Sequence, residues 1–415
     1  MDKKYISAAQ AAQNWGISLR SVQNFCKNGK IAGAKRFGNS WSIPDDASRP
    51  EDGRRKSSDG DIPHWHQPLI RKTPFLLMTD LYTQSGRLDE SVEAVSYHPE
   101  AHALLTAQAA YARGNIDKAY EYCRLFLENR SGLYAVLSGA MTVALCALWK
   151  GDIDMYRKAR RHIYEAPCTK DIDRDIVVLS TAVVDLSIRN TRDFPEWFQR
   201  GCLDTLPIDA FPAARVQYLK YLTVGTQLLA TMNMEYAGLK AMDLMRTHPF
   251  IIELMISQAV VEKSIMEEIY LRLMGAICYN SIGERALAVQ HIDKAIALCM
   301  ADGLYGILAE FCRTLGTLLD ERLENASSEV AATVKKLYKT YNAGWTKVHN
   351  IIMERRVFEK LTPREREVAR LAAFGLTNQQ IAEMLFLSEA SVKSIVKNAK
   401  DKTGANTRAE LGSYI

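Results

Sequence analysis

The sequence predicts a mainly α-helical protein with a helix-turn-helix segment at each end, the first carrying a small β-hairpin wing, and an α-solenoid of paired helices between them. Three observations carry this expectation. Both ends place Ser or Thr three residues before Gln or Glu, just ahead of short apolar periodic runs, which marks successive capped helices. In the middle, helix-breaking turns fall near Gly86, Gly114, Gly151, Asn190, Asn233 and Gly283, each after an apolar helix and before an amphipathic one. Charge is uneven: about +6 lies in residues 1–56, about +3 in 354–415 and about −4 between, within a net +5. The domains expected are 1–48, a winged helix-turn-helix; 49–72, a flexible linker; 73–353, a helical-repeat sensor or dimerisation body; and 354–415, a second DNA-reading module.

A chain of 415 residues with 47% hydrophobic composition has enough apolar surface for real cores. No run of eighteen apolar residues is expected to span a membrane, and MDKKYISAAQ lacks a signal-peptide core. A cytoplasmic protein without a membrane partner is the expectation. The eight cysteines are scattered without a C-x-x-C pair, which suits reduced, packed thiols.

In the first segment Ser7 and Gln10 form a capping box for a helix over 8–15, Gly16-Ile17 make the turn, and Ser18 caps a second helix ending near Lys27. A hairpin follows, 34–37 with 41–43 around Gly38-Asn39-Ser40. Val22, Phe25 and Trp41 are the expected core. Ser18, Arg20, Ser21, Gln23, Asn24 and Lys27 on the second helix, with Lys35 and Arg36 on the wing, are the candidate DNA contacts. With Ser7, Trp15, Gly16-Ile17-Ser18, Gly29-Lys30-Ile31, Gly33 and Trp41 in register, the segment resembles the MerR/excisionase-type DNA-binding domain.

The linker composition is Pro, Asp, Gly, Arg and Ser, with Arg54, Arg55 and Lys56 as nonspecific phosphate contacts. Its His64-Trp65-His66 supplies too few ligands for a metal, and neither a metal nor a cofactor is expected. In the body, the unit from Tyr270 to Cys299 resembles a tetratricopeptide repeat (TPR), with Gly275, Ala276, Gly283 and Ala286 at matching points. Methionines including Met242, Met245, Met255, Met266 and Met274 are read as core first and as an adaptable groove second. Glu267-Glu268 is read as a solvated face. The chain contains no phosphate loop, dinucleotide fingerprint, zinc-protease helix or nucleophile elbow, so no enzyme is expected.

At the C-terminus Thr362 to Glu365 is a capping box with Pro at the first helical position, opening a helix whose apolar face is Val368, Leu371 and Ala372. A second box, Thr377 to Gln380, opens a helix through Ile381, Ala382 and Leu385. Ser388 caps a third, Glu389 to about Lys402, with Val392, Val396 and Ala399 inward. Asn378, Ser388, Ser391, Lys393, Ser394, Lys397, Asn398 and Lys402 are the candidate DNA contacts, cations giving affinity and Asn and Ser selectivity. Leu361-Thr362, Arg364 to Val368, Gly375, Asn378, Ile381-Ala382, Leu385, Ser388, Val392-Lys393, Lys402, Gly404 and Asn406 resemble the LuxR/NarL-type DNA-binding domain. Ile395, Ala399 and Thr403 depart from its pattern.

That resemblance implies double-stranded DNA as partner and a homodimer, with Leu411 and Tyr414 at the dimer contact. The function expected is a bacterial transcription regulator, with the repeats sensing a small-molecule or peptide effector or a protein partner. The alternative is a TPR-like adaptor in which one head docks a protein instead of DNA.

Overall fold

The computed structural model describes residues 4–38, 40–50, 71, 73–128, 132–231, 236, 238–354, 361–403 and 405–414. Two compact units result, residues 1–67 and 68–415. Most of the expected linker, with Arg54, Arg55, Lys56 and the His64-Trp65-His66 triplet, lies outside the described residues, as do Asn39, Asn233 and Gly404.

The first unit runs β1 (Tyr5–Ser7), α1 (Ala8–Trp15), α2 (Leu19–Lys27), β2 (Lys35–Phe37) and β3 (Ser40–Pro44). The Ser7–Gln10 box is present in both directions, and Gly16 ends α1 in the left-handed conformation (φ 64°) that glycine adopts without a Cβ penalty. β3 pairs antiparallel with β2, as the hairpin predicts, and also with β1, opposite Tyr5 to Ser7. That third strand was not expected: three residues before a cap are too few to show a period of two. The core is smaller than the aromatic one expected. Ala8, Ala11, Ala12, Val22, Cys26, Ile31 and Ile43 are buried, while Phe25 and Trp41 pack half-buried at its edge.

Among its described residues the second unit is built of helices joined by loops, with one isolated bridge between Tyr236 and Leu239. In order come α3 (Leu88–Glu93), α4 (Pro99–Arg113), α5 (Ile116–Glu128), α6 (Leu133–Lys150), α7 (Ile153–Tyr164), α8 (Asp171–Ser187), α9 (Glu196–Gln199) and α10 (Phe211–Thr231). Then follow α11 (Ala241–Glu262), α12 (Ile265–Ile282), α13 (Arg285–Asp302), α14 (Tyr305–Leu315), α15 (Thr317–Ala326) and α16 (Ser328–Ile352). Consecutive helices pack on each other, most extensively α4 to α7 and α11 to α13. Gly114, Gly151 and Gly283 terminate helices at the expected turns with φ of 85°, 62° and 92°.

Two contacts close this array on itself. Asp302, at the end of α13, accepts hydrogen bonds from Tyr82 Oη (2.6 Å), Gly86 N (2.5 Å) and Leu88 N (2.9 Å), so the start of α3 is capped by a carboxylate more than 200 residues away. The long α16 then crosses α6, α7 and α14. Gly344 makes that crossing possible, since a Cβ there would collide with the carbonyl oxygens of Leu148 and Trp149.

Two expectations are corrected here. α6 is by length and composition apolar enough to cross a membrane, although no such segment was expected; most of it is buried in the array, where an all-round apolar helix belongs. Glu267 and Glu268 are buried, not solvated. Glu267 takes two hydrogen bonds from the Arg215 guanidinium (2.5 and 2.9 Å), and Glu268 accepts from Arg272 at 2.7 Å. Cations supplied by α10 and by the next turn of α12 compensate the burial. Of the grooved methionines, Met245, Met266 and Met274 are core residues.

Candidate nucleic-acid interface

The last three helices of the second unit are α17 (Pro363–Ala373), α18 (Asn378–Leu385) and α19 (Glu389–Thr403), followed by a short 3-10 helix over Ala409–Tyr414. Both capping boxes form: Thr362 with Glu365 and Thr377 with Gln380. Phe386 makes the tight turn between α18 and α19 in the left-handed conformation (φ 52°). Val368, Leu371, Ile381, Leu385, Val392, Val396 and Ala399 pack together, so the inward faces are as the spacing predicts. Thr403, at a departure from the family pattern, is also buried and bonds the Ala399 carbonyl at 2.8 Å.

The candidate contacts fall into two groups. Lys393, Ser394, Lys397 and Asn398 are exposed on the outer face of α19. The others have structural partners. Ser388 caps α19, accepting from Ser391 N at 3.1 Å, and the two hydroxyls are 2.7 Å apart. Asn378 Oδ1 accepts from Arg408 at 2.5 Å. Lys402 Nζ lies 2.7 Å from both oxygens of Glu365. Burial raises the Glu365 pKa, but Lys402 and the Thr362 hydrogen bonds outweigh it and hold the carboxyl below its usual range. Lys402 therefore braces α19 against the N-terminus of α17.

Two positioning residues were missed by sequence reasoning. Arg408 ties Asn378 and the Leu376 carbonyl to the segment after α19, and Arg364 donates to the Leu385 carbonyl at 2.8 Å, fixing the end of α18. Single cations give no periodic signal; only their carbonyl partners reveal the role.

The module is docked on the helical body. α17 is buried nearly all round: Arg366 donates to Tyr338 Oη (2.7 Å), Arg370 to the Thr314 carbonyl (2.7 Å), and Glu367 accepts from Thr317 (3.0 Å) and Arg364 (2.8 Å). The 3-10 helix lies against α10, and Leu411 is fully buried there. Leu411, expected at a dimer contact, is therefore inside the protein, in a core shared by this module and α10. The Tyr414 side chain lies outside the described residues.

In the first unit, Arg20, Gln23, Asn24 and Lys27 are exposed on α2. Ser18 and Ser21 are joined as the cap of that helix (3.2 Å). On the wing, Lys35 sits over the Tyr5 ring at 5.6 Å, and Arg36 Nε donates to the Gly38 carbonyl at 3.2 Å.

A short helix, a tight turn and a second helix with a polar, cationic outer face is the arrangement that reads a major groove. Residues 359–415 match the family model described as bacterial regulatory proteins, luxR family. The chain is 40% identical over 70 residues to the transcriptional regulatory protein MctR of Rhizobium johnstonii, covering 16% of this chain and 33% of that protein. It is 39% identical over 56 residues to the nitrate/nitrite response regulator protein NarL of Escherichia coli, covering 14% of this chain and 26% of NarL. The chain thus spans a third or less of the length of these relatives. No solved structure matches it.

Proposed function

We propose that this protein is a DNA-binding transcription regulator of the bacterial cytoplasm, not an enzyme, whose luxR-type module reads DNA through α19. The observation that carries this reading is the division of labour on that helix. Val392, Val396 and Ala399 hold it in the core, while Lys393, Ser394, Lys397 and Asn398 share its open face. The two lysines provide the phosphate term, and Ser394 and Asn398 reach base edges. The first unit acts as a winged helix-turn-helix of MerR/excisionase type and grips flanking DNA through Arg20, Gln23, Asn24 and Lys27, adding avidity. The closed array of paired helices is a TPR-like sensor body. A homodimer using the segment around Leu411 requires that segment to leave α10, so effector binding acts by shifting the docked and released populations.

Selection from a random duplex pool at fixed moderate salt tests this. The intact protein is expected to enrich a composite motif, losing one part in Lys393→Glu/Lys397→Glu and the other in Arg20→Glu/Lys27→Glu, with affinity falling steeply against log salt. Enrichment that survives Lys393→Glu/Lys397→Glu refutes the role of α19. Salt-indifferent behaviour with no enrichment favours the adaptor reading instead.

A further inference from the structure

Two cavities inside the helical body, about 120 and 110 Å³, share Ser187, Gln217, Lys220, Tyr270 and Glu310 in their walls and so form two lobes of one site. Beyond those shared residues the second lobe is mainly apolar, with Phe75, Leu77, Met78, Met141, Leu145 and Met266 in its wall beside Gln108 and Thr142. The first contains Arg189, Lys220 and Arg313.

Arg313 is 5% exposed, with its guanidinium 4.4 Å over the Trp345 ring. Nη1 donates to Asn342 Oδ1 at 2.6 Å, but among the described residues Nε and Nη2 have no hydrogen-bond partner and no carboxylate pairs with the group. Its charged neighbours Arg366 and Arg189 oppose its charge. A guanidinium stays protonated and offers five donors, so burying two of its nitrogens without a protein acceptor or a counter-charge is costly.

Lys220 is less isolated: Nζ donates to Ser187 Oγ at 3.1 Å, and burial pushes its pKa down although the Glu310 carboxylate, too far for an ion pair, partly offsets it. Glu310, the acid at the lobe boundary, already accepts from Tyr111 Oη. Gln217, 6% exposed, leaves Oε1 without a donor. In the walls of the two lobes Arg313 and Lys220 face one carboxylate, Glu310, and the unpaired donors of Arg313 belong to the first lobe, which shares five residues with the second.

We propose that the helical body binds a small organic anion, a carboxylate whose charged end meets Arg313 and Lys220 and whose apolar part fills the second lobe. A dry cavity near 150 Å³ takes a benzene ring, so the two lobes together suit a ligand of about ten non-hydrogen atoms. Thr314 is in the same wall, and its carbonyl holds Arg370 of α17. Occupancy thus bears on the docked module, a consequence that rests on the effector-controlled reading above.

The test leaves DNA out, so its failure and that of the DNA-binding reading are separate. The full-length protein is titrated calorimetrically with hydrocinnamate and octanoate, and with hydrocinnamide and phenethylamine as neutral and cationic counterparts. The carboxylates are expected to saturate, with the amide roughly 10- to 100-fold weaker and the amine silent. Arg313→Met should abolish carboxylate binding without lowering the melting temperature. In crystals of the wild type soaked with para-bromohydrocinnamate, the anomalous bromine peak should lie in the lobe beside Met141 and Met266, a readout independent of whether the variant folds. No saturation by either carboxylate at millimolar concentration, equal binding of the amide, undiminished binding in a folded Arg313→Met, or a bromine peak elsewhere each overturns the proposal.

Discussion

Each helix-turn-helix has a reciprocal cap on its first helix, Ser7 with Gln10 on α1 and Thr377 with Gln380 on α18, and the same box recurs at Thr362 with Glu365 on α17. Beyond that the two are held differently. α1 and α2 close around small side chains within their own unit, with Val22 at the centre. The core of the luxR-type module is continuous with residues of α10, α11 and α12, including Leu219, Met245, Ile252 and Met274. A segment with a private core melts by itself, whereas one that shares its core melts with the body. The difference lies in burial, not in local helix chemistry.

The largest way to break this contrast is to open each core. Leu371 is fully buried in the shared cluster, and Leu371→Ala is expected to cost about 2–5 kcal/mol. Hydrogen exchange should then accelerate through α10 to α12 as well as through α17 to α19. Val22→Ala, at an equally buried position, is expected to cost roughly 2 kcal/mol and to accelerate exchange only within residues 1–50. Exchange confined to the module after Leu371→Ala would show that the shared core does not act as one cooperative body.

Local structure was legible because its causes are local. Caps, glycine turns and the spacing of Val392, Val396 and Ala399 all act within a few residues. The partners of α17 are 28 to 56 residues away in Tyr338, Thr317 and Thr314, so Arg366, Glu367 and Arg370 read only as cations and acids on a helix. The same holds for Asp302 capping α3 and for Gly344 admitting α16. In the candidate DNA interface, spacing placed Lys393 and Lys397 on the open face, but it could not tell that Lys402, five residues on, is spent on Glu365. No period in the chain announces Arg313, whose significance lies in the partner it lacks.

Acid sharpens the comparison with a somewhat smaller effect. His248 is buried on α11 with Nε2 3.4 Å from Thr226 Oγ1 and no partner for Nδ1. Burial pushes its pKa down from 6.5 to about 4. Because the folded value lies below the unfolded one, the unfolded chain binds the extra proton first. The stabilisation is complete above pH 6.5 and is lost as the pH falls toward 4, at most on the order of 3 kcal/mol. Residues 1–50, which hold the core of the first unit, contain no histidine, and the unit's His64 and His66 lie outside the described residues. Between pH 6.5 and 4 the melting temperature of the second unit should fall and that of the first should not follow it, and His248→Gln should flatten the profile of the second unit. Parallel profiles for the two units would remove histidine burial as the cause.

The smallest expected effect comes from the caps, where the two segments are most alike. Ser7→Ala and Thr362→Ala each remove one hydroxyl acceptor from a helix N-terminus, for about 1 kcal/mol apiece. At Thr362 the loss also removes the acceptor of Glu365 N–H, and so loosens the residue whose carboxylate accepts from Thr362 N (2.9 Å, a backbone bond that alanine keeps) and from Lys402. A double-mutant cycle between Thr362→Ala and Lys402→Met, read by denaturant unfolding, should therefore show coupling of at least about 0.5 kcal/mol. Ser7→Ala and Lys27→Met, whose side chains share no hydrogen bond, should be additive. Additivity at both ends would mean that the Glu365 brace is held by the packing of α17 alone, and that the cap acts on its own helix only.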